Sequence, residues 1–382
     1  MSYIHENPDW PNLKWNEAKL SPLLADVRHR QGRLLGKMEG LGFRLRAEAN
    51  LKTLTADVIK SSAIEGKQLD AEQVRSSIAR RLGLDVGGTA PSSRDVDGVV
   101  EMMLDATQKY AEPLTAERLF GWHASLFPTG RSGMQRITVG AWRPLEAGPM
   151  QVVSGPMGKE QVHFEAPSAD RLDHEMAAFL DWFGDGRGVD PVLKAGIAHF
   201  RFVTVHPFED GNGRIGRAIA DMALARADGT PERFYSMSAQ IEAAQYYDIL
   251  ERSQRGRTDI TLWLEWFLVC LGRAVDGAES NLASILRKAK LWEQINLEPV
   301  NERQRKVINR LLDGFEGKLS TSKYAKLAKC SGDTALRDIK ILLDRGILAQ
   351  EDGGGRSTSY RLTEPPGISK TSSASKKSDV GI

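Results

Sequence analysis

His206-Pro207-Phe208-Glu209-Asp210-Gly211-Asn212-Gly213-Arg214-Ile215-Gly216-Arg217 is the stretch on which the fold turns. An apolar helix carrying Phe200, Phe202, Val203 and Val205 leads into it, and a second helix is predicted from Gly213 to about Ala227. Between them lies a short polar loop. Gly211, Asn212 and Gly213 sit where that loop becomes a helix, so unpaired backbone N–H groups and the positive end of the helix dipole face one place, which suits an anion. Glycine lets the backbone approach phosphate oxygens closely. Arg214 and Arg217 are three apart and share a helix face, which suggests an oligophosphate. Asp210 is a hard carboxylate of the kind that holds Mg²⁺ together with substrate phosphates. His206 opens the loop with an imidazole suited to act as general base. Each feature alone is ordinary: a cap, a turn, a solvated face. Together within twelve residues they make a phosphoryl- or nucleotidyl-transfer site.

Working outward, the chain reads as mostly helical. Apolar rhythms predict helices over 17–39 and 44–64, then over 95–110, 115–126, 169–184 and 190–205. Further helices are expected at 213–227, 239–254, 259–274 and 276–295. Residues 83–93 read as a loop. The Pro- and Gly-rich stretch 140–167 contains two β-prone pieces, Met150–Ser154 and Gln161–Phe164, which predict a hairpin among helices.

After a break near Glu298-Pro299, residues 299–363 hold 13 Lys/Arg against 8 Asp/Glu, an excess of +5. Helices are expected at Asn301–Asp313 and Ser322–Lys329, with a third opening at Cys330 and built on Leu336, Ile339, Leu342 and Leu343. Two strands follow, joined by a tight turn at Gly353–Arg356. The Ser/Lys-rich tail 364–382 has little to bury and is expected to be disordered.

The whole-chain balance is nearly neutral: 52 basic against 50 acidic residues among 382, a net +2. That excludes a protein working by bulk electrostatics. Cys270 and Cys330 form neither a disulfide framework nor a zinc-ligand spacing. The N-terminus lacks the basic start and apolar run of a signal peptide. Trp263–Leu271 carries Glu265 and is about half of the ~20 residues a span needs. A soluble, cytoplasmic protein with no membrane contact is expected.

HPFEDGNGRIGR resembles the Fic family signature, His-Pro-Phe-x-Asp-Gly-Asn-Gly-Arg-x-x-Arg, at every fixed position. The resemblance covers roughly 95–290. It implies a mainly α Fic-type helical core with a β-hairpin flap, and a protein adenylyltransferase moving AMP from ATP to a hydroxyl side chain of a target protein, and of itself. By the same resemblance His206 deprotonates the hydroxyl, and Asp210 holds Mg²⁺. Gly211 shapes the anion hole; Asn212, Gly213 and Arg214 hold the α and β phosphates; Arg217 grips the γ-phosphate. Phe208 anchors the loop by packing, and Glu209 has no assigned role. Relatives that transfer phosphate carry lysine where this chain has Gly213, which favours AMP transfer here.

Ser61-Ser62-Ala63-Ile64-Glu65-Gly66 resembles the family's inhibitory signature. Ser61 and Glu65 stack on one helix face, and the resemblance implies that Glu65 pairs with Arg217 and blocks the γ-phosphate subsite. The same glutamate could position a water for AMP removal, so a de-AMPylating hydrolase is an alternative. Residues 150–164 correspond to the flap on which a target docks by strand addition. Tyr246 and Tyr247 resemble adenine-pocket residues, although an aromatic pair at helical spacing also suits a core. Relatives imply a homodimer; the sequence shows no interface.

Residues 299–363 resemble a winged helix-turn-helix, whose third helix would present Ser331, Thr334, Arg337 and Lys340 to DNA while Lys323, Lys326, Lys329 and Arg356 meet phosphates. Winged helices serve equally as docking modules. A DNA-binding regulator with a secondary core is therefore another alternative. A metal-dependent hydrolase using His199 and His206 lacks a third ligand. The expected organisation is an N-terminal helical region with the inhibitory helix at 1–94, the core at 95–297, the C-terminal winged helix-turn-helix at 298–363 and the tail at 364–382.

Overall fold

The computed structural model describes residues 2–85, 90–154, 161–185, 188–295, 300–312, 315, 317–351 and 358–363. These residues divide between two compact units, Met1–Asn281 and Leu282–Ile382. The N-terminal region and the core, expected as separate parts, thus share the first unit.

The first unit begins with α1 (Glu17–Glu39) and α2 (Phe43–Ile64), followed by α3 (Ala71–Arg81), α4 (Arg94–Gln108) and α5 (Ala116–Leu126). Two antiparallel pairs come next: β1 (Arg131–Ser132) with β2 (Gln135–Arg136), and β3 (Gln151–Ser154) with β4 (Gln161–Glu165). Helices resume as α6 (Leu172–Gly184), α7 (Pro191–Val205), α8 (Asn212–Asp228), α9 (Ala243–Ser253) and α10 (Thr261–Ile295), whose residues from Leu282 on fall in the second unit. Side-chain caps explain many starts: Asn16, Asp70, Ser93 and Thr115 each accept a backbone N–H of the first turn. Asp190 does the same for α7, with Pro191 at the first helical position.

α7 and α8 form the most extensive helix pair, and α4 and α5 also pack on α8. Both α7 and α8 are buried along nearly their whole length, so the loop joining them is held from beneath by the core. α2 packs against α3, α4 and α8, which brings an N-terminal helix beside the loop.

Three features depart from the sequence reading. α3 is an additional helix, built around buried Val74, Ile78 and Ala79. α10 is one continuous helix where a break near residue 275 was expected: Gly277 costs about 1 kcal/mol relative to Ala, and buried Ala274, Val275 and Ala278 carry the helix through. The short β1–β2 pair has no periodic signal. The β3–β4 hairpin lies where expected, with Val152 opposite Phe164 and a bulge after Val152; its tip, 155–160, lies outside the described residues.

In the second unit α11 (Glu302–Leu312), α12 (Thr321–Ala328) and α13 (Gly332–Asp344) precede an antiparallel pair, β5 (Leu348–Gln350) and β6 (Tyr360–Leu362). Val307, Ile308, Tyr324, Ile339, Leu342 and Tyr360 share its core. Leu336, expected in the apolar stripe, is 54% exposed. The buried positions are Ala335, Asp338, Ile339 and Leu342. Asp338 takes the inward place because Arg303 grips both its oxygens (2.9 and 3.2 Å) and Asn301 adds a third bond. The expected turn Gly353–Arg356 and the tail 364–382 lie outside the described residues. Among the described residues no helix is long and apolar enough to cross a membrane.

Candidate active site

The α7–α8 loop starts at His206, which caps α7 in the left-handed conformation (φ 51°), and ends at Gly211, which precedes α8 with φ 86°. Glycine is the residue that takes the second geometry without steric cost. The first intrahelical bond of α8 runs from Ile215 N–H to Gly211 O. The N–H groups of Asn212, Gly213 and Arg214 therefore precede the helical ladder and are oriented for an anion.

The loop is braced by its own motif. Phe208 is fully buried, stacks on His123 (centroids 4.2 Å apart) and meets the Trp142 ring at 5.2 Å. The Asn212 side chain is turned inward. Its Oδ1 accepts the Phe208 N–H (3.0 Å), and its Nδ2 donates to the Phe208 carbonyl (2.7 Å). Asn212 therefore has its backbone N–H, not its amide, available to a ligand. Glu209, given no role from sequence, accepts the Thr138 N–H at 2.6 Å and ties the loop to the segment after β2.

His206 donates through Nδ1–H to Val203 O at 3.1 Å, which places the proton on Nδ1 and leaves the Nε2 lone pair free. Its pKa is pushed down to about 4, first by removal from water; Arg143 also lowers it, while the Val203 bond, Glu65 and Asp210 act in the opposite direction. The imidazole is neutral at neutral pH, as a general base must be.

Asp210 is partly exposed, with a side-chain exposure of 39%. It accepts the Ser132 hydroxyl and the Gly211 N–H, and it lies 3.8 Å from Arg214. Arg214 is buried, with its guanidinium 5.0 Å from the centre of the Phe127 ring. Arg217 is also buried. Its Nε donates to Ser61 Oγ (2.9 Å), and its Nη2 donates to Ser61 O (2.9 Å) and to Glu65 Oε1 (2.8 Å). Burial works against the Arg217 charge, but Glu65 offsets it and the pKa is raised. The second Glu65 oxygen accepts the Tyr247 hydroxyl at 3.3 Å. A Cβ on Gly213 would stand 2.1 Å from Glu65 Oε1, so the Glu65 carboxylate lies directly over the first turn of α8. The structure thus brings Ser61, Glu65, Arg217 and Tyr247 together with the motif, across more than 150 residues of chain.

The tyrosine pair needs correction. Tyr246 is 1% exposed, and its hydroxyl lies 3.0 Å from His199 Nε2. It belongs to the core, where Trp263 and Trp266 surround it, and it presents no free face to a nucleotide. Tyr247 is the member that reaches the surface, at 41% exposed. His199 is likewise a core residue, its pKa lowered to about 3 by burial. Among the described residues no group of three or more His, Cys, Asp or Glu is arranged for a metal, so a two-histidine centre on His199 and His206 finds no third ligand.

Sequence reasoning missed the outer braces. His123 takes the Gly140 N–H on Nδ1 (3.3 Å) and donates from Nε2 to Asp210 O (3.1 Å), and burial lowers its pKa to about 4. Arg143 donates to His206 O and Pro207 O. Neither sits in a local pattern that announces it. In the second unit, Ser331, Arg337 and Lys340 are exposed on or beside α13, and Thr334 is half-buried.

Comparison with known proteins agrees with this geometry. Residues 113–224 match the Fic/DOC family model, and residues 3–84 match a domain of unknown function (DUF4172). The chain is 27% identical over 256 residues to the protein adenylyltransferase fic-1 of Caenorhabditis briggsae, covering 63% of this chain and 47% of that protein. It is 26% identical over 226 residues to the protein adenylyltransferase Fic of Nematostella vectensis, covering 57% and 47% respectively. The chain thus spans about half the length of these curated relatives. A Fic domain containing signaling protein from Bacteroides thetaiotaomicron shares the fold at a TM-score of 0.50 and 21% identity, over 67% of this chain and 96% of that one. The braced α7–α8 loop carrying the full motif lies within residues 113–224, the part of this chain that is a Fic/DOC domain.

Proposed function

We propose that this chain transfers AMP from ATP to a hydroxyl side chain of a protein. The observation that carries the reading is the convergence, at one loop–helix junction, of a neutral imidazole with a free Nε2, unpaired N–H groups and two arginines. His206 Nε2 takes the proton of the attacking hydroxyl. The hydroxyl oxygen forms a bond to the α-phosphorus, the α–β bridging bond breaks, and pyrophosphate leaves. The N–H groups of Asn212, Gly213 and Arg214 meet the α and β phosphates, and Arg217 meets the γ-phosphate. Relatives named protein adenylyltransferases support this choice of reaction.

Asp210 fits Mg²⁺: it is a partly exposed carboxylate beside the anion hole, and Mg²⁺ commonly takes one or two carboxylates plus substrate phosphates. When bound, the ion neutralises phosphate charge. Tyr247 is the tyrosine available to the adenine side. The target segment docks along the β3–β4 hairpin, where Val153 and Val162 are exposed. In the proposed resting state Glu65 holds Arg217 away from the γ-phosphate, so the enzyme is auto-inhibited.

Labelled ATP tests the reading. Wild type, Glu65→Gly and His206→Ala are each given α- or γ-labelled ATP and a lysate. Protein label from the α position, raised by Glu65→Gly and lost with His206→Ala, is expected. Label from the γ position overturns the reading, and Glu65-dependent release of AMP from a modified protein identifies the hydrolase instead.

For residues 299–363 we propose duplex DNA as a partner. Lys323, Lys326 and Lys329 on or just after α12, and Arg337 and Lys340 on α13, are all exposed. A salt-dependent mobility shift of duplex DNA by the full chain is expected, and no shift at low salt overturns it.

A further inference from the structure

Arg143 is 3% exposed and lies between β2 and β3. A buried cation normally needs a carboxylate, because taking a charge out of water costs several kcal/mol. Arg143 has a different set of partners. Its backbone N–H donates to Pro207 O (2.9 Å), its Nε donates to His206 O (2.9 Å), and its Nη2 donates to Pro167 O. Its third guanidinium nitrogen, Nη1, is buried without a partner, and burial alone accounts for its lowered pKa. One of the carbonyls it grips, that of His206, stands at the end of α7. His206 caps that helix, and the unsatisfied carbonyls of a helix C-terminus carry about half a negative charge.

We propose that Arg143 is the positioning residue of the active site: by holding the carbonyls of His206 and Pro207 it keeps His206 in its left-handed pose with Nε2 facing the loop. Left-handed geometry is costly for a residue other than glycine, and two donors from one residue hold it in place. The same guanidinium has an electrostatic consequence. A helix C-terminus and the nearby carboxylates Glu65 and Asp210 all favour a protonated imidazole. Burial does most to keep the base free, and Arg143 adds to it against them.

The kinetic part of this inference rests on the AMP-transfer reading, so the test has an arm independent of activity. Full-length protein with ¹³C-labelled histidine is titrated by NMR, and His206→Ala identifies the resonance. In Arg143→Met, which removes the charge and the guanidinium donors to His206 O and Pro167 O while keeping the backbone N–H to Pro207 O, the His206 titration is expected to move up by about one pH unit. In Arg143→Lys, which keeps the charge but not the fork, it is expected to stay near wild type. Kinetics are measured in the Glu65→Gly background. Both Arg143 variants are expected to lower kcat by about 10- to 100-fold with KM for ATP unchanged, as a misplaced base should. A titration unmoved in folded Arg143→Met overturns the electrostatic role, and an unchanged kcat in folded Arg143→Lys overturns the positioning role. If Arg143→Met does not fold, Arg143→Lys decides alone by its kcat. If Glu65→Gly itself transfers no AMP, the functional reading has failed, and the NMR titration of Arg143→Met still decides this one.

Discussion

Replacing Glu65 by glycine separates what holds Arg217 from what Arg217 is there to hold. The guanidinium is 2% exposed and loses a carboxylate at 2.8 Å. Stripping one partner from a buried pair costs about 3–5 kcal/mol. Two facts reduce that here: the Glu65 side chain is 27% exposed, and Ser61 keeps both of its bonds to Arg217. We take about 1–2 kcal/mol. Glu65 caps α2 at φ −90°, outside the helix interior, so glycine adds little backbone cost. In a unit of this size the loss lowers Tm by about 2–5 °C. With nucleotide the order changes. The freed guanidinium becomes available to a phosphate, and a charge-assisted bond contributes about 1.5–3 kcal/mol, or roughly 10- to 100-fold in affinity. Scanning fluorimetry with and without Mg-ATP should therefore show the variant melting below wild type when empty and gaining more from ATP. Equal melting temperatures without nucleotide and equal gains with it would refute the contact as a restraint on ATP binding.

Gly213→Ala should displace Glu65, because its Cβ would stand 2.1 Å from Oε1. Its stability loss should largely vanish in the Glu65→Gly background, and a double-mutant cycle by urea unfolding measures that coupling. Asn212→Ala strands the buried Phe208 N–H and carbonyl; a loss of about 2–3 kcal/mol in chemical denaturation is expected. Phe208→Ala empties an aromatic cluster and should cost about 3–5 kcal/mol in the same assay. Acid should destabilise the fold through His123, His199 and His206, whose pKa values are lowered from 6.5 to about 4, 3 and 4. The unfolded chain takes up those protons first, so this contribution is absent above about pH 6.5 and grows as pH falls toward 4. Urea midpoints measured from pH 7 to 5 check it, and His123→Gln should remove about one proton from the slope.

The site was legible because its parts are contiguous. A loop–helix junction with glycines, a carboxylate and spaced arginines announces itself within one short stretch, and Phe208 in that stretch is buried against His123. The Ser61–Glu65 pair could be read only through resemblance, since nothing local ties residue 65 to residue 217. The misreadings share one physical cause. Periodicity reports which residues can share a face, not which face the neighbours cover. Tyr246 and Tyr247 are adjacent, yet α9 turns one toward the His199–Trp263 cluster and the other outward. Leu336 lost its inward place to Asp338, because Arg303 lies some 35 residues away in sequence but beside it in space. Arg143 and His123 work through carbonyls, for which any sequence context would serve, and so they left no pattern.

The grip on Arg217 comes from α2 of the same polypeptide. Dilution therefore cannot loosen it, and crowding by other copies is not needed to keep it. Tethering gives a partner a local concentration in the millimolar range or above, so free carboxylates in solution compete poorly for the guanidinium. What can compete is a ligand that engages several groups of the junction at once. On the proposed AMP-transfer reading a triphosphate would do so, meeting the N–H groups of Asn212, Gly213 and Arg214 while it bids for Arg217, whereas a single phosphate would not. The same tether makes the strength of the restraint a property of sequence between residues 65 and 217, open to gradual adjustment by substitutions far from any reacting atom.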